Sequence, residues 1–257
     1  MPTKSLVTGA NGHLGNTLVR LLVSRGEHVI AGIRNAQHRN ILDSLGGTTV
    51  RADLLDRSSL AAALQGVEVL YQVGAVFKHW APNPERDIYA ANMNATRNVL
   101  EAAAHAGVRR VVYVSSLAAL DRARVPINES SWNPDRSNIY FRSKTDAEKL
   151  AWDLAEKHRL NMVSVLPGAM IGRNCLTPTP TMALLTSVIE DKLPVNPGFF
   201  FNFMANVICW RMSFVPASKN WCTKRRRCSQ AGISRCRPSR HGPWCMPSLR
   251  CWKWWVG

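Results

Sequence analysis

Apolar positions in this chain recur at two spacings, and the places where one gives way to the other mark out its elements. Short apolar or β-branched runs at Ser5–Thr8, His28–Ile33, Thr48–Arg51, Val69–Val73, Arg110–Val114 and Met162–Leu166 read as strands. Between them apolar residues fall at helical spacing. Leu14, Leu18, Leu21 and Leu22 share one helix face, Asp56 is placed to cap a helix that Gly66 ends, a long helix runs over about 86–106 closed by Gly107, and another covers about 139–158. The joints are short and turn-rich, with loops at Pro82–Pro84 and around Pro126 and Pro134. Strands alternating with helices predict an α/β fold whose parallel sheet is covered on both faces.

The first joint carries a chemical signal. Ser5-Leu-Val-Thr-Gly-Ala-Asn-Gly-His-Leu-Gly15 is an apolar strand running into glycines at Gly9, Gly12 and Gly15 and then into a helix. In such a strand–turn–helix unit Gly9 permits the tight turn, Gly12 lets a diphosphate approach the backbone, and Gly15 lets the helix pack close, while open N–H groups at the helix start face the anion. With six strands in this order, the pattern is that of a Rossmann-type doubly wound sheet binding a dinucleotide. The competing reading is a glycine-rich connector in another α/β fold.

Two features bear on which dinucleotide. No acid occurs from His28 to Leu42, where a carboxylate would hold the ribose hydroxyls of NAD, and Arg34 and Arg39 stand there instead. A guanidinium suits a 2′-phosphate, so NADP(H) is favoured over NAD(H); the alternative is a pair of solvated surface arginines. Asp53 is placed either to bond the adenine amino group, with Leu54 packed beside it, or simply to form a turn.

Tyr140 and Lys144 lie four apart in the helical segment, so their side chains share one face a turn apart. An ammonium beside a phenol favours phenolate and lowers its pKa from about 10, giving a usable proton donor and acceptor. Ser116 follows the fifth strand, at the carboxyl edge where open parallel sheets bind ligands, and its hydroxyl is placed to hold an oxygen that Tyr140 protonates.

As a set, these residues resemble the extended short-chain dehydrogenase/reductases of the NAD-dependent epimerase/dehydratase family, in the dihydroflavonol-reductase-like branch. The resemblance is carried by Thr8-Gly-Ala-Asn-Gly-His-Leu-Gly15, Ala52-Asp-Leu54, Asn94-Ala-Thr-Arg-Asn-Val-Leu100, Val112-Tyr-Val-Ser-Ser116, Tyr140-Phe-Arg-Ser-Lys144 and Leu166-Pro-Gly168, over roughly residues 3–203. It implies that Tyr140 is the acid/base, that Lys144 lowers its pKa and binds the nicotinamide ribose, and that Ser116 orients the carbonyl, with Ser115 the neighbouring candidate. Cofactor contacts are expected from Gly9, Gly12, His13, Leu14, Gly15, Arg34, Asp53, Leu54, Val73, Gly74, Tyr140, Lys144 and Pro167, and the resemblance also implies support of the helix and a site water by Asn94. Gln72-Val-Gly-Ala75 stands where the family usually has His-x-Ala-Ala, and Leu166 where it usually has Arg.

Composition changes the picture only near the end. The net charge of +16 is uneven: residues 1–204 hold 22 Lys+Arg against 17 Asp+Glu, whereas residues 205–257 hold 11 basic residues and no acid. Six of the seven cysteines and six of the nine tryptophans lie in that last segment. A binding module gripping phosphates through Lys224–Arg227 is one reading. Metal binding is another, but Cys222, Cys228, Cys236, Cys245 and Cys251 form no Cys-x2-Cys pair and His241 is the only nearby histidine, so no metal is expected. Loss of every acid and of all periodicity favours a third, out-of-frame translation of the substrate lobe.

The expected organisation is therefore a dinucleotide-binding domain over 1–168, the start of a substrate lobe over 169–204, and a basic tail over 205–257. The expected reaction is NADPH-dependent reduction of a ketone or aldehyde, weak or absent in this chain because the lobe that covers the site is scrambled. Two alternatives stand beside it: a nucleotide-sugar epimerase or dehydratase, and a non-catalytic dinucleotide- or nucleic-acid-binding protein, with nucleic acid disfavoured. The first strand begins almost at Met1 and no apolar run approaches the roughly 18 residues of a membrane span, so the expectation is a cytoplasmic protein without a membrane partner. By resemblance, the helices at 86–106 and 139–158 imply a homodimer.

Overall fold

The computed structural model describes residues 2–35, 39–123, 126–173, 175–176, 178–190 and 192, together with the backbone of 203–205. All lie in the first of two units, Met1–Ala217; the second, Ser218–Gly257, lies outside the described residues, as do the basic run and five cysteines from Cys222 to Cys251.

Six parallel strands form the sheet: β1 Lys4–Thr8, β2 His28–Ile33, β3 Thr48–Arg51, β4 Val69–Gln72, β5 Arg110–Val114 and β6 Met162–Val165. Their order, β3-β2-β1-β4-β5-β6, is that of a doubly wound sheet. The direction of winding reverses between β1 and β4, which pair from Ser5 with Val69 to Val7 with Tyr71. In open sheets of this kind ligands bind outside the carboxyl ends of the strands at such a reversal.

The strand period of two sends neighbouring side chains into separate cores. Val7 faces one core with Val19, Leu22, Val29 and Leu42, under α1 His13–Ser24 and α2 Arg39–Ser44. Leu6 faces the other with Leu70, Leu100, Val111, Leu154 and Met162, under α3 Arg57–Ala63, α4 Ala91–His105 and α5 Ile139–Lys157. Asp56 caps α3, accepting from the Ser58 hydroxyl and from the N–H groups of Ser58 and Ser59, and these bonds, with that from Arg51, lower its pKa to about 2. Gly66 and Gly107 take positive φ where the chain leaves α3 and α4.

Three differences from the sequence reading appear. The expected helix over 86–106 begins as a wider π-helical turn, Glu85–Ala90, and becomes α-helical only at Ala91. α2 occupies a stretch without a periodic signal, because six residues that bury only Leu42 leave no pattern to count. After β6 come β7 Ala169–Ile171, α6 Pro180–Ile189 and β8 Phe203–Ala205, with β7 and β8 pairing in parallel as a separate two-stranded sheet. Among the described residues no helix is long and apolar enough to cross a membrane.

Candidate active site

At the end of β1, Gly9 turns the chain with φ +62, a conformation open to glycine at little cost. A Cβ at Gly9 would lie 2.8 Å from Gly74 Cα, and one at Gly15 would lie 2.2 Å from the Gly9 carbonyl oxygen. The ends of β1 and β4 and the start of α1 are thus in backbone contact. Thr8 fixes this corner: its Oγ accepts from the N–H groups of Val73 (3.0 Å) and Gly74 (3.1 Å) and donates to Gln72 Oε1 (2.7 Å). Gln72 in turn donates from Nε2 to the Gly74 carbonyl (2.8 Å), so the amide at this departure from the family pattern braces the loop.

The helix start fits an anion. Gly12 is the N-cap of α1 and no side chain caps it. The first-turn N–H groups, those of His13 and Leu14 among them, lack the side-chain acceptor that a Ser or Asp cap would provide. A Cβ at Gly12 would meet only the Gly9 oxygen, at 3.2 Å. A diphosphate is the group such a turn accommodates.

The segment after β4 links this turn to the titratable residues. Asn92 on α4 is buried, accepting from the Val76 N–H (2.9 Å) and donating to the Val76 carbonyl (3.1 Å) and to Ser143 Oγ (3.2 Å) on α5. Just beyond, Phe77 and His79 stand against the Tyr140 ring at centroid distances of 5.3 Å and 4.8 Å. Asn138 caps α5, accepting from the N–H groups of Tyr140 and Phe141, so Tyr140 is locked into the first turn.

Tyr140 is 7% exposed, and Ser116 is the side chain whose polarity opposes the effect of that burial. Burial pushes the phenol above its usual value of 10, and Ser116 pulls it partly back. Lys144, equally buried, is lowered to about 8 by desolvation, with the Glu148 carboxylate opposing the drop. The expected depression of Tyr140 by Lys144 is therefore not found in this state. The physical reason is that each group pays mainly for leaving water, and the charge answering Lys144 is Glu148 rather than phenolate.

The other candidates fall as follows. Ser115 gives its hydroxyl to Glu148 at 2.6 Å, which leaves Ser116 as the serine facing Tyr140. Leu54 lies beside Gly74, where an added Cβ would be 3.0 Å from its Cδ1. Asp53 accepts from the Leu55 N–H through Oδ1 (3.0 Å), the turn-forming contact, and is half-buried. Arg34 is exposed just past β2, whereas Arg39 sits on α2 and pairs with Asp43 at 3.4 Å. Pro167 is buried, and its carbonyl accepts from the Leu117 N–H. Leu166 packs with Leu117, Ala119 and Leu120, so an apolar residue suits the place where the family pattern has Arg. Asn94 is a correction: it lies on the exposed face of α4, and the asparagine turned toward the site is Asn92. Positions 92, 96, 99 and 103 form the buried face, a phase the sequence alone offered as the signal.

Comparison with known proteins gives the family. Residues 5–193 match the model of the NAD dependent epimerase/dehydratase family, and the chain belongs to that family. Sterol demethylase protein B of Methylococcus capsulatus is 36% identical over 171 residues, covering 65% of this chain and 52% of that one. A putative dihydroflavonol 4-reductase of Synechocystis is 34% identical over 200 residues, covering 75% and 57%. The crystal structure of gox2253 superposes with a TM-score of 0.66 at 34% identity, covering 74% of this chain and 58% of that one. The chain thus spans little more than half the length of the curated relatives it matches.

Proposed function

We propose that this chain carries the dinucleotide-binding and proton-transfer site of an NADP(H)-dependent reductase acting on a small-molecule ketone or aldehyde. A nicotinamide dinucleotide, when bound, supplies the hydride. The glycine turn and the open start of α1 hold the diphosphate, Arg34 faces the 2′-phosphate, Asp53 and Leu54 flank the adenine, and Val73, Gly74 and Pro167 line the crevice. Ser116 holds the carbonyl oxygen and Tyr140 delivers the proton, while Lys144 supports Tyr140 and the ribose.

The observation that carries this reading is the buried Tyr140 phenol on a helix face shared with Lys144, with Ser116 following β5 at the carboxyl edge of the sheet and acting on the phenol. Its raised pKa keeps the phenol protonated near neutral pH, which suits a proton donor. Similarity to the putative dihydroflavonol 4-reductase of Synechocystis supports the reductase class. With residues 205–257 read as out of frame on their composition, turnover in this chain is weak, because a site that is not closed over keeps bulk water and loses positioning. A homodimer through α4 and α5 and a cytoplasmic location complete the reading.

The test is NADPH and NADH binding by fluorescence titration, alongside cofactor oxidation with an aldehyde and ketone panel. Tighter NADPH binding with slow carbonyl-dependent oxidation supports the proposal. Co-purified NAD with no net cofactor consumption would indicate an epimerase or dehydratase instead. Binding of neither dinucleotide would refute both.

A further inference from the structure

Two turns along α5 from Tyr140 lies a charged group that the reaction above does not use. Tyr140, Lys144 and Glu148 occur at successive four-residue steps and so line one face of the helix. Glu148 is 1% exposed, an environment that an ionised carboxylate tolerates only when its oxygens are bonded and a counter-charge is near. Both oxygens are bonded. Oε2 accepts the Ser115 hydroxyl (2.6 Å) at the end of β5, and Oε1 accepts the Ser164 hydroxyl (2.8 Å) on β6 and, more distantly, the Trp152 indole N–H (3.5 Å).

We propose that Glu148 is the positioning residue of this site: its carboxylate, fixed by hydroxyls from two neighbouring strands, supplies the counter-charge that holds Lys144 in place as an ammonium and anchors the Ser115–Ser116 corner opposite Tyr140. The inference rests on the proton-transfer reading for its consequence in turnover, but the influence of Glu148 on Lys144 stands apart from it, on their one-turn spacing along the buried face of α5 and on the bonds that fix the Glu148 carboxylate.

Among the described residues, the surroundings leave Glu148 as the group able to do this. From β5 the facing ionisable group is Tyr113, which donates to or accepts from Thr96 of α4 at 2.9 Å and is pushed far up by burial, so it stays neutral. From α4 come Asn92 and Thr96, and from β6 Ser164, none ionisable near neutral pH. On α5 itself, Asp146 is turned away into a two-bond pair with Arg136, and Lys149 lies over the Trp132 ring. The Ser115 bond gives Glu148 a second action. Ser115 and Ser116 are consecutive, so fixing one hydroxyl to α5 sets where the other points.

The experiment is an NMR titration of the full chain labelled with 13Cε-lysine, the Lys144 resonance being assigned by its loss in Lys144→Arg. Glu148→Gln keeps the shape and the capacity to bond both serines but removes the charge. Its Lys144 midpoint is expected about one pH unit below that of the unsubstituted chain. Ser115→Ala, which keeps the charge, is expected to move it by less. An unchanged midpoint in Glu148→Gln overturns the proposal and leaves Glu148 a structural clamp. Should that variant fail to fold, Glu148→Asp, which draws the charge back by one methylene, is titrated instead, with a smaller shift in the same direction expected and no shift again contradictory. In parallel assays the alkaline limb of the kcat profile in Glu148→Gln moves to lower pH by the same amount. A chain that reduces no carbonyl, yet whose Lys144 midpoint moves, keeps the counter-charge role of Glu148 and loses the reductase reading instead.

Discussion

α5 and α6 are both helices of this chain with good N-caps, yet α5 buries nine of its nineteen residues and α6 none of its ten. α5 is held by Asn138 at its start, by Asn92 through Ser143, and by the strand serines through Glu148. α6 is apolar enough to be a core helix, but Val188 and Ile189 are 53% and 74% exposed. The contrast teaches where precision is built. The residues proposed to move a proton sit on an element fixed from three sides, while the segment that follows the sheet has no core of its own among the described residues.

Substitutions at both ends of this contrast sharpen it. The largest effect is expected at the glycine corner. Gly15→Ala drives a methyl into the Gly9 carbonyl, and urea unfolding should show a loss of about 3 kcal/mol, with dinucleotide binding lost in the same protein. Leu154→Ala on α5 empties a site in the larger core and is expected to cost about 2–4 kcal/mol in the same assay. A loss under about 0.5 kcal/mol at either position would mean that the sheet and α5 are not packed as described.

Smaller effects separate electrostatics from packing. Arg34→Ser is expected to weaken NADPH binding about tenfold while leaving NADH binding unchanged, read by fluorescence titration. Equal loss for both would place Arg34 outside the 2′-phosphate site. Lys144 gives a pH dependence. Its folded pKa of about 8 lies below the usual 10.5, so between those values the unfolded chain binds more protons and stability rises with pH. Buried tyrosines, whose pKa values are raised, withdraw stability only above about pH 10. Urea midpoints at about pH 8 and about pH 10 should rise in the natural sequence and stay flat in Lys144→Met. Ile189→Ser on α6 should change stability by no more than about 0.5 kcal/mol, the smallest effect of the set. A large loss there would show that α6 is covered.

The same contrast explains what the sequence disclosed. Six strands were legible because each is a short apolar run stopped by a turn residue, and the glycine turn because three backbone approaches demand glycine at fixed spacing. Tyr140 and Lys144 were legible from helical spacing, and Ser116 from its place after a strand. Asn92 was missed in favour of Asn94 because both are polar neighbours, and only the helix phase separates buried from exposed. Glu148 gives no signal in the sequence, where a glutamate one turn after a lysine reads as a surface pair; its buried bonds are to serines on strands distant in the sequence. The π-helical turn has no residue pattern that sets it apart from the start of an α-helix.

The central claim, that the Tyr140 hydroxyl supplies the proton at a dinucleotide site, is tested most directly by a single-turnover measurement with NADPH deuterated at nicotinamide C4 and a reducible aldehyde, comparing the natural sequence with Tyr140→Phe. Both should bind NADPH equally, and deuterium should appear in the alcohol on the order of a hundredfold or more faster with Tyr140 present. Equal transfer rates in the two proteins would contradict the account.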